Sequence, residues 1–145
     1  MMGLFASLLR PPRREDFPPD LAIAALLVEA ARADGVYLPS EREMIDRMLT
    51  MLLGLNAAEA RALRERAEPV QAESADTVRF TRVVKFALDE GQRIAVMEAL
   101  WRVILSDDDR DPHENALMRH LAPLLAIDDH DSAAARQRAL ASNRP

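Results

Sequence analysis

An acidic loop motif occurs twice in this chain, each time between an apolar run and an amphipathic one. The first copy reads Ala33-Asp34-Gly35 and then Pro39-Ser40-Glu41; the second reads Ser106-Asp107-Asp108 and then Pro112-His113-Glu114. Residues 21–33 and 94–105 are the apolar runs, 41–53 and 114–125 the amphipathic ones. The copies also end alike, with Leu52-Leu53-Gly54-Leu55 against Leu124-Leu125-Ala126-Ile127, and Asn56 or Asp128 follows to cap a further helix. A duplication of this kind predicts one packing unit used twice about a pseudo-twofold axis, which would bring the two acidic loops near each other.

Helix propensity dominates the rest. Ala, Leu, Arg and Glu are abundant, aromatics make up 4% and glycines number four, so no sheet is expected. Pro11, Pro12, Pro18 and Pro19 mark a linker, which divides a short N-terminal helix and linker (residues 1–19) from one helical domain (20–145). The run 21–33 is apolar almost all round and predicts a central helix. Met44, Ile45, Met48, Leu49 and Leu52 keep helical spacing in the second helix, which begins at Pro39 and ends at Gly54. Asn56 with Glu59 forms a capping box for a third helix that should stop near Pro69, followed by a connector over 71–76. A fourth over 76–88 should bury Phe80, Val83, Val84, Ala87 and Leu88 and leave Arg79, Arg82 and Lys85 on another face. Asp89 and Gln92 open the fifth, with Trp101 in the core; the sixth covers 112–126 and the seventh 129–141. The expectation is an all-α bundle of seven helices.

Composition excludes several functions. Nineteen basic against 24 acidic residues give a net charge of -5, which argues against nucleic acid as a primary ligand. With no cysteine there is no disulfide, thiolate metal site or thiol nucleophile, as suits a cytoplasmic protein. Residues 1–9 are apolar with Arg10, Arg13 and Arg14 after them, the reverse of a signal peptide's charge order. No segment approaches the ~20 apolar residues of a membrane span. The N-terminal stretch reads as a docking helix or as a membrane-surface foot of Leu4, Phe5, Leu8 and Leu9.

The acids of the second loop raise the chemical question. Asp111 at the cap position, Pro112 and Glu114 form a capping box without any ligand. Asp107, Asp108 and Asp109 are left over, and neighbouring carboxylates repel by about 0.7 kcal/mol per pair at ~6 Å in water-like dielectric. Arg110 and His113 can offset this, or a hard divalent cation (Ca²⁺, Mg²⁺ or Mn²⁺) can bind to Asp107, Asp109, Asp111 and Glu114. The loop is not an EF-hand, since its sixth position is Pro112 and its twelfth Met118. Asp34 and Glu41 would join such a site only if the loops meet; in their copy the cap position is Leu38, with no side-chain oxygen. Enzyme signatures are missing: no zincin or di-iron spacing surrounds His113 or His120, and no paired glycines form a phosphate loop. Arg79, Arg82 and Lys85 read as a solvated face or, alternatively, as a docking surface for an acidic partner or phosphate.

Ala33-Asp34-Gly35 followed by Glu41, together with Phe80-Thr81, Gln92-Arg93 and Leu100-Trp101, resembles the tellurite-resistance TerB-like family over residues 21–140. The resemblance implies a seven-helix, non-enzymatic, cytoplasmic stress-response domain with a divalent-cation role and a protein partner in a complex at the inner membrane face. Leu38 departs from the family's acidic residue in the first loop, and Asp108 replaces a glycine in the second. Two readings follow. One is a protein that works by binding a partner, with a divalent cation at the acidic loops; the other is a metal-dependent hydrolase or detoxifying enzyme using the same acids.

Overall fold

The computed structural model describes residues 17–74, 76–106 and 112–143, without the side chains of 112–115. It is all-α, in the order α1 (Pro19–Arg32), α2 (Pro39–Leu53), α3 (Ala57–Ser74), α4 (Thr77–Ala87), α5 (Glu90–Ile104), α6 (Pro112–Leu124) and α7 (Asp129–Ser142). No strand occurs among the described residues.

α1 is the central rod. It starts on Pro19 and packs against α2, α3, α4 and α5, so an apolar residue is needed on nearly every side, and Ala22 through Val28 are completely buried. α5 lies against α1, α2 and α7, with Val96, Met97, Ala99, Leu100 and Val103 buried. α1 packs on α3 as α5 packs on α7.

Helix ends follow the capping residues seen in the sequence. Asn56 and Glu59 exchange hydrogen bonds of 2.8 and 3.0 Å at the start of α3, and Asp89 and Gln92 do so at 2.9 Å at the start of α5. Asp76 and Asp128 cap α4 and α7 by accepting from the amides of Arg79 and Asp131. Gly54 closes α2 at φ 71°, and the matching Ala126 takes the same left-handed conformation at φ 57° after α6. Arg93 fastens the end of α4 and the end of α6 to α5, donating to the carbonyls of Leu88 and Leu125 at 2.9 Å each.

One boundary differs from expectation. Pro69 does not stop α3, which continues to Ser74. Pro69 is exposed, whereas Ala67 is buried and Val70 packs on the core. Arg32 also donates from α1 to the Glu68 carbonyl and the Gln71 side chain at 3.0 and 2.8 Å, so tertiary contacts hold the last turns past the missing amide.

Candidate functional site

The first acidic loop is built by its own backbone. Asp34 Oδ1 accepts from the Val36 amide at 3.0 Å, and Gly35 turns the chain at φ 82°. An added Cβ on Gly35 would meet nothing within 4 Å, so the backbone angle, not space, calls for glycine. Glu41 is 1% exposed, and its Oε1 accepts from the Leu38 amide at 2.8 Å. Leu38 offers no oxygen in return, which leaves half a capping box. Both candidate ligands of this loop thus serve as backbone acceptors.

Cations gather on Tyr37, in the same loop. Arg32 and Arg42 lie against the Tyr37 ring at 4.9 and 4.7 Å from its centroid. These three residues, with Arg61, Arg64 and Glu68, line an open concavity of about 560 Å³. Arg64, 8% exposed, holds Asp46 through contacts of 2.7 and 3.3 Å and Glu68 at 3.2 Å, tying α3 to α2. The Tyr37 hydroxyl is buried with no partner in hydrogen-bond geometry; burial, and then Glu68, push its pKa up, with Arg64 opposing. Glu65 also lines the concavity and pairs with Arg61 at 2.8 Å, so Arg61 and Arg64 are neutralised by carboxylates while Arg32 and Arg42 rest on the Tyr37 ring.

Asp107, Asp109 and Asp111 lie outside the described residues, as does the side chain of Glu114. Among the described residues no group of three His, Cys, Asp or Glu side chains is placed to hold a metal. His120 is exposed on α6, as a surface histidine should be, and Trp101 belongs to the core.

Sequence reasoning passed over two positions. Glu29 is an acid within the apolar run of α1; its Oε1 accepts from the Thr77 hydroxyl at 2.5 Å, while Oε2 is buried without a partner. Burial raises its pKa, against the Thr77 hydrogen bond and the nearby His120. A carboxylate in the middle of the otherwise apolar stretch 21–31 was the available signal. The second is Phe86, 83% exposed on α4. Around that helix Lys85, Val78, Arg82 and Phe86 fall within roughly 100° of arc for regular helix geometry, apolar and cationic in turn. Val78 is 51% exposed, α4 contains no acid, and neither Arg82 nor Lys85 has an ion-pair partner among the described residues. On the core side of the same helix Phe17 meets Phe80 at 5.1 Å with the rings tilted by 46°, and the Arg79 guanidinium lies over Phe17 at 4.3 Å.

Residues 20–137 match the family model described as tellurite resistance protein TerB. The chain belongs to the TerB family. The match takes in α1 from its second residue, all of α2 to α6 and most of α7, so the seven-helix bundle is the family domain. The TerB motif residues have structural duties: Asp34 closes a turn, Glu41 and Gln92 cap helices, Arg93 fastens two helix ends, and Leu100 and Trp101 fill the core. No curated protein and no solved structure matches the chain. Among the described residues no helix is long and apolar enough to cross a membrane.

Proposed function

We propose that this TerB domain works by binding a partner protein rather than by catalysis, and that the partner docks on the exposed face of α4. The observation that carries this is Phe86, a fully presented aromatic ring between cations on a chain whose net charge is -5. Aromatic anchors with a charged rim are the residues that contribute most to interface affinity. The fitting partner is a protein segment that offers an apolar residue flanked by carboxylates. A cytoplasmic stress-response role of the tellurite-resistance kind, in a complex at the inner membrane face, is the setting that family membership supports.

The test is a photoreactive phenylalanine analogue at position 86, irradiated in the native cell. A discrete protein adduct should form, and Arg82→Glu with Lys85→Glu should abolish it. No adduct, or one indifferent to the charge reversal, overturns the reading. A second ligand is proposed at the other acidic loop: a hard divalent cation on Asp107, Asp109, Asp111 and Glu114, supported by the carboxylate density of that segment. Asp34 and Glu41 would add little, since their acceptor atoms serve the backbone. Metal-free protein titrated calorimetrically with Ca²⁺, Mg²⁺ and Mn²⁺ should give heat that Asp109→Asn/Asp111→Asn removes; no heat with the parent protein ends the proposal. The hydrolase alternative has weaker support, because among the described residues no group of three His, Cys, Asp or Glu side chains is placed to hold a metal.

A further inference from the structure

The exposed row of α4 and the first described residue of the chain meet at one place. Arg79, Arg82 and Phe86 are three and four residues apart and form one row along the helix, with Val78 and Lys85 beside it. The Arg79 guanidinium lies 4.3 Å from the centroid of the Phe17 ring, and Phe17 in turn meets Phe80. Phe17 is the first described residue, so residues 1–16 depart from the Arg79 end of the row. In sequence those residues carry what the row lacks. Leu4, Phe5, Leu8 and Leu9 are spaced as one apolar helix stripe. Glu15 and Asp16 put two carboxylates directly before Phe17, whereas α4 holds no acid. Arg10, Arg13 and Arg14 fall between the stripe and the acids.

We propose that residues 4–9 of the same chain dock on this face of α4 and cover Phe86 and Val78 until a partner displaces them. The apolar surface to be covered is large, Phe86 being 83% and Val78 51% exposed. Reach permits it. From Phe80 to Phe86 the helix advances roughly 9 Å at 1.5 Å per residue, while the seven residues 10–16 extend to roughly 23–25 Å. A short tether also holds the segment at an effective concentration on the order of millimolar, so a weak contact is enough. Charge agrees, because Glu15 and Asp16 bring carboxylates to the end of a cationic row where Arg82 has no ion-pair partner among the described residues. A second copy of the chain fits less well, since two such faces in twofold contact set Arg82 and Lys85 against their own counterparts. The covering rests on α4 and Phe17; the competition rests on the partner proposed for that face.

A photoreactive phenylalanine analogue at position 86 tests both parts. In dilute purified protein, irradiation should join position 86 to a peptide from residues 1–14 of the same molecule, with a yield independent of protein concentration. Leu8→Asp/Leu9→Asp should remove that adduct, and an unchanged melt shows that the variant is folded. In the native cell the same substitutions should raise the partner adduct at least about threefold, because a partner binds only the uncovered fraction of the molecules. No adduct to residues 1–14, or one formed only between molecules, overturns the covering. A partner adduct that Leu8→Asp/Leu9→Asp leaves unchanged overturns the competition. If neither chain gives a partner adduct in the cell while the purified protein still cross-links to residues 1–14, the covering stands and the proposed partner falls.

Discussion

Glu41→Ala tests whether the first acidic loop is a structural device or a ligand site. Glu41 is 1% exposed, and its Oε1 holds the Leu38 amide at 2.8 Å, an amide that α2 cannot satisfy from within. Alanine removes the acceptor and leaves a half-buried donor unpaired, which costs about 1–3 kcal/mol. It also removes a negative charge from the first turn, a further ~0.3–1 kcal/mol. For a domain near this size about 1 kcal/mol moves Tm by roughly 2–4 °C, so a drop of roughly 3–16 °C is expected. Glu41→Gln preserves the acceptor, because glutamine serves equally in a capping box, and should lose no more than about 1 kcal/mol. Melts of both variants, after chelation and again with Ca²⁺ or Mn²⁺, make the assay. Ligand binding raises Tm by mass action, so a metal-dependent rise in the parent that Glu41→Gln abolishes would refute the structural assignment. An alanine variant within about 0.5 kcal/mol of the parent would refute the energetic one.

Ala126→Gly should stabilise by about 0.5–1 kcal/mol, the ~1–2 kcal/mol of left-handed strain at φ 57° less the entropy a glycine adds to the unfolded chain; a lower urea midpoint would contradict this. Arg64→Ala should destabilise by about 2–4 kcal/mol, since it strands Asp46 and Glu68. That figure lies below the fully buried case because these carboxylates are 24% and 21% exposed, and urea denaturation with the Asp46→Asn/Arg64→Ala pair checks the coupling. Glu29 is an acid whose folded pKa is raised, so its contribution is most favourable below the unfolded value of 4.5 and is lost as pH rises through the folded one. Glu29→Gln should therefore raise Tm at neutral pH, with the advantage shrinking toward pH 4.5; a gain independent of pH would show that ionisation is not the cause.

The fold was legible because its signals are local. Caps at Asn56, Asp89 and Asp128, the stop at Gly54 and the apolar rods of α1 and α5 each depend on residues within a few positions, and each stands where the sequence put it. Pro69 was misread because what carries α3 past it is distant in sequence: Arg32 reaching from α1, and Val70 meeting the core. Phe86 was passed over for a different reason. In an amphipathic helix an aromatic residue is assigned to the buried side by default, and only its angle beside Val78 and Arg82 places it outside.

The candidate site was less legible because two kinds of chemistry use the same letters. A helix N-terminus and a hard cation both ask for oxygens on short side chains near a turn, so Asp34 and Glu41 satisfy either description as sequence. What separates them is the partner of each oxygen. Asp34 and Glu41 face amides two and three residues away, and the charges that line the concavity at Tyr37, Arg32, Arg42, Arg61 and Arg64 with Glu65 and Glu68, come from three different helices. A sequence motif contains the first of these facts in its spacing and nothing of the second. The two copies of the sequence motif therefore need not share a ligand even where they share a pattern. The first loop has an acid, Glu41, whose cap position is a leucine, while the second offers as sequence an acid at the cap position, Asp111, and three more before it. Any cation affinity of this chain should reside in the second half, and removing the first loop's acids should change stability while leaving that affinity in place.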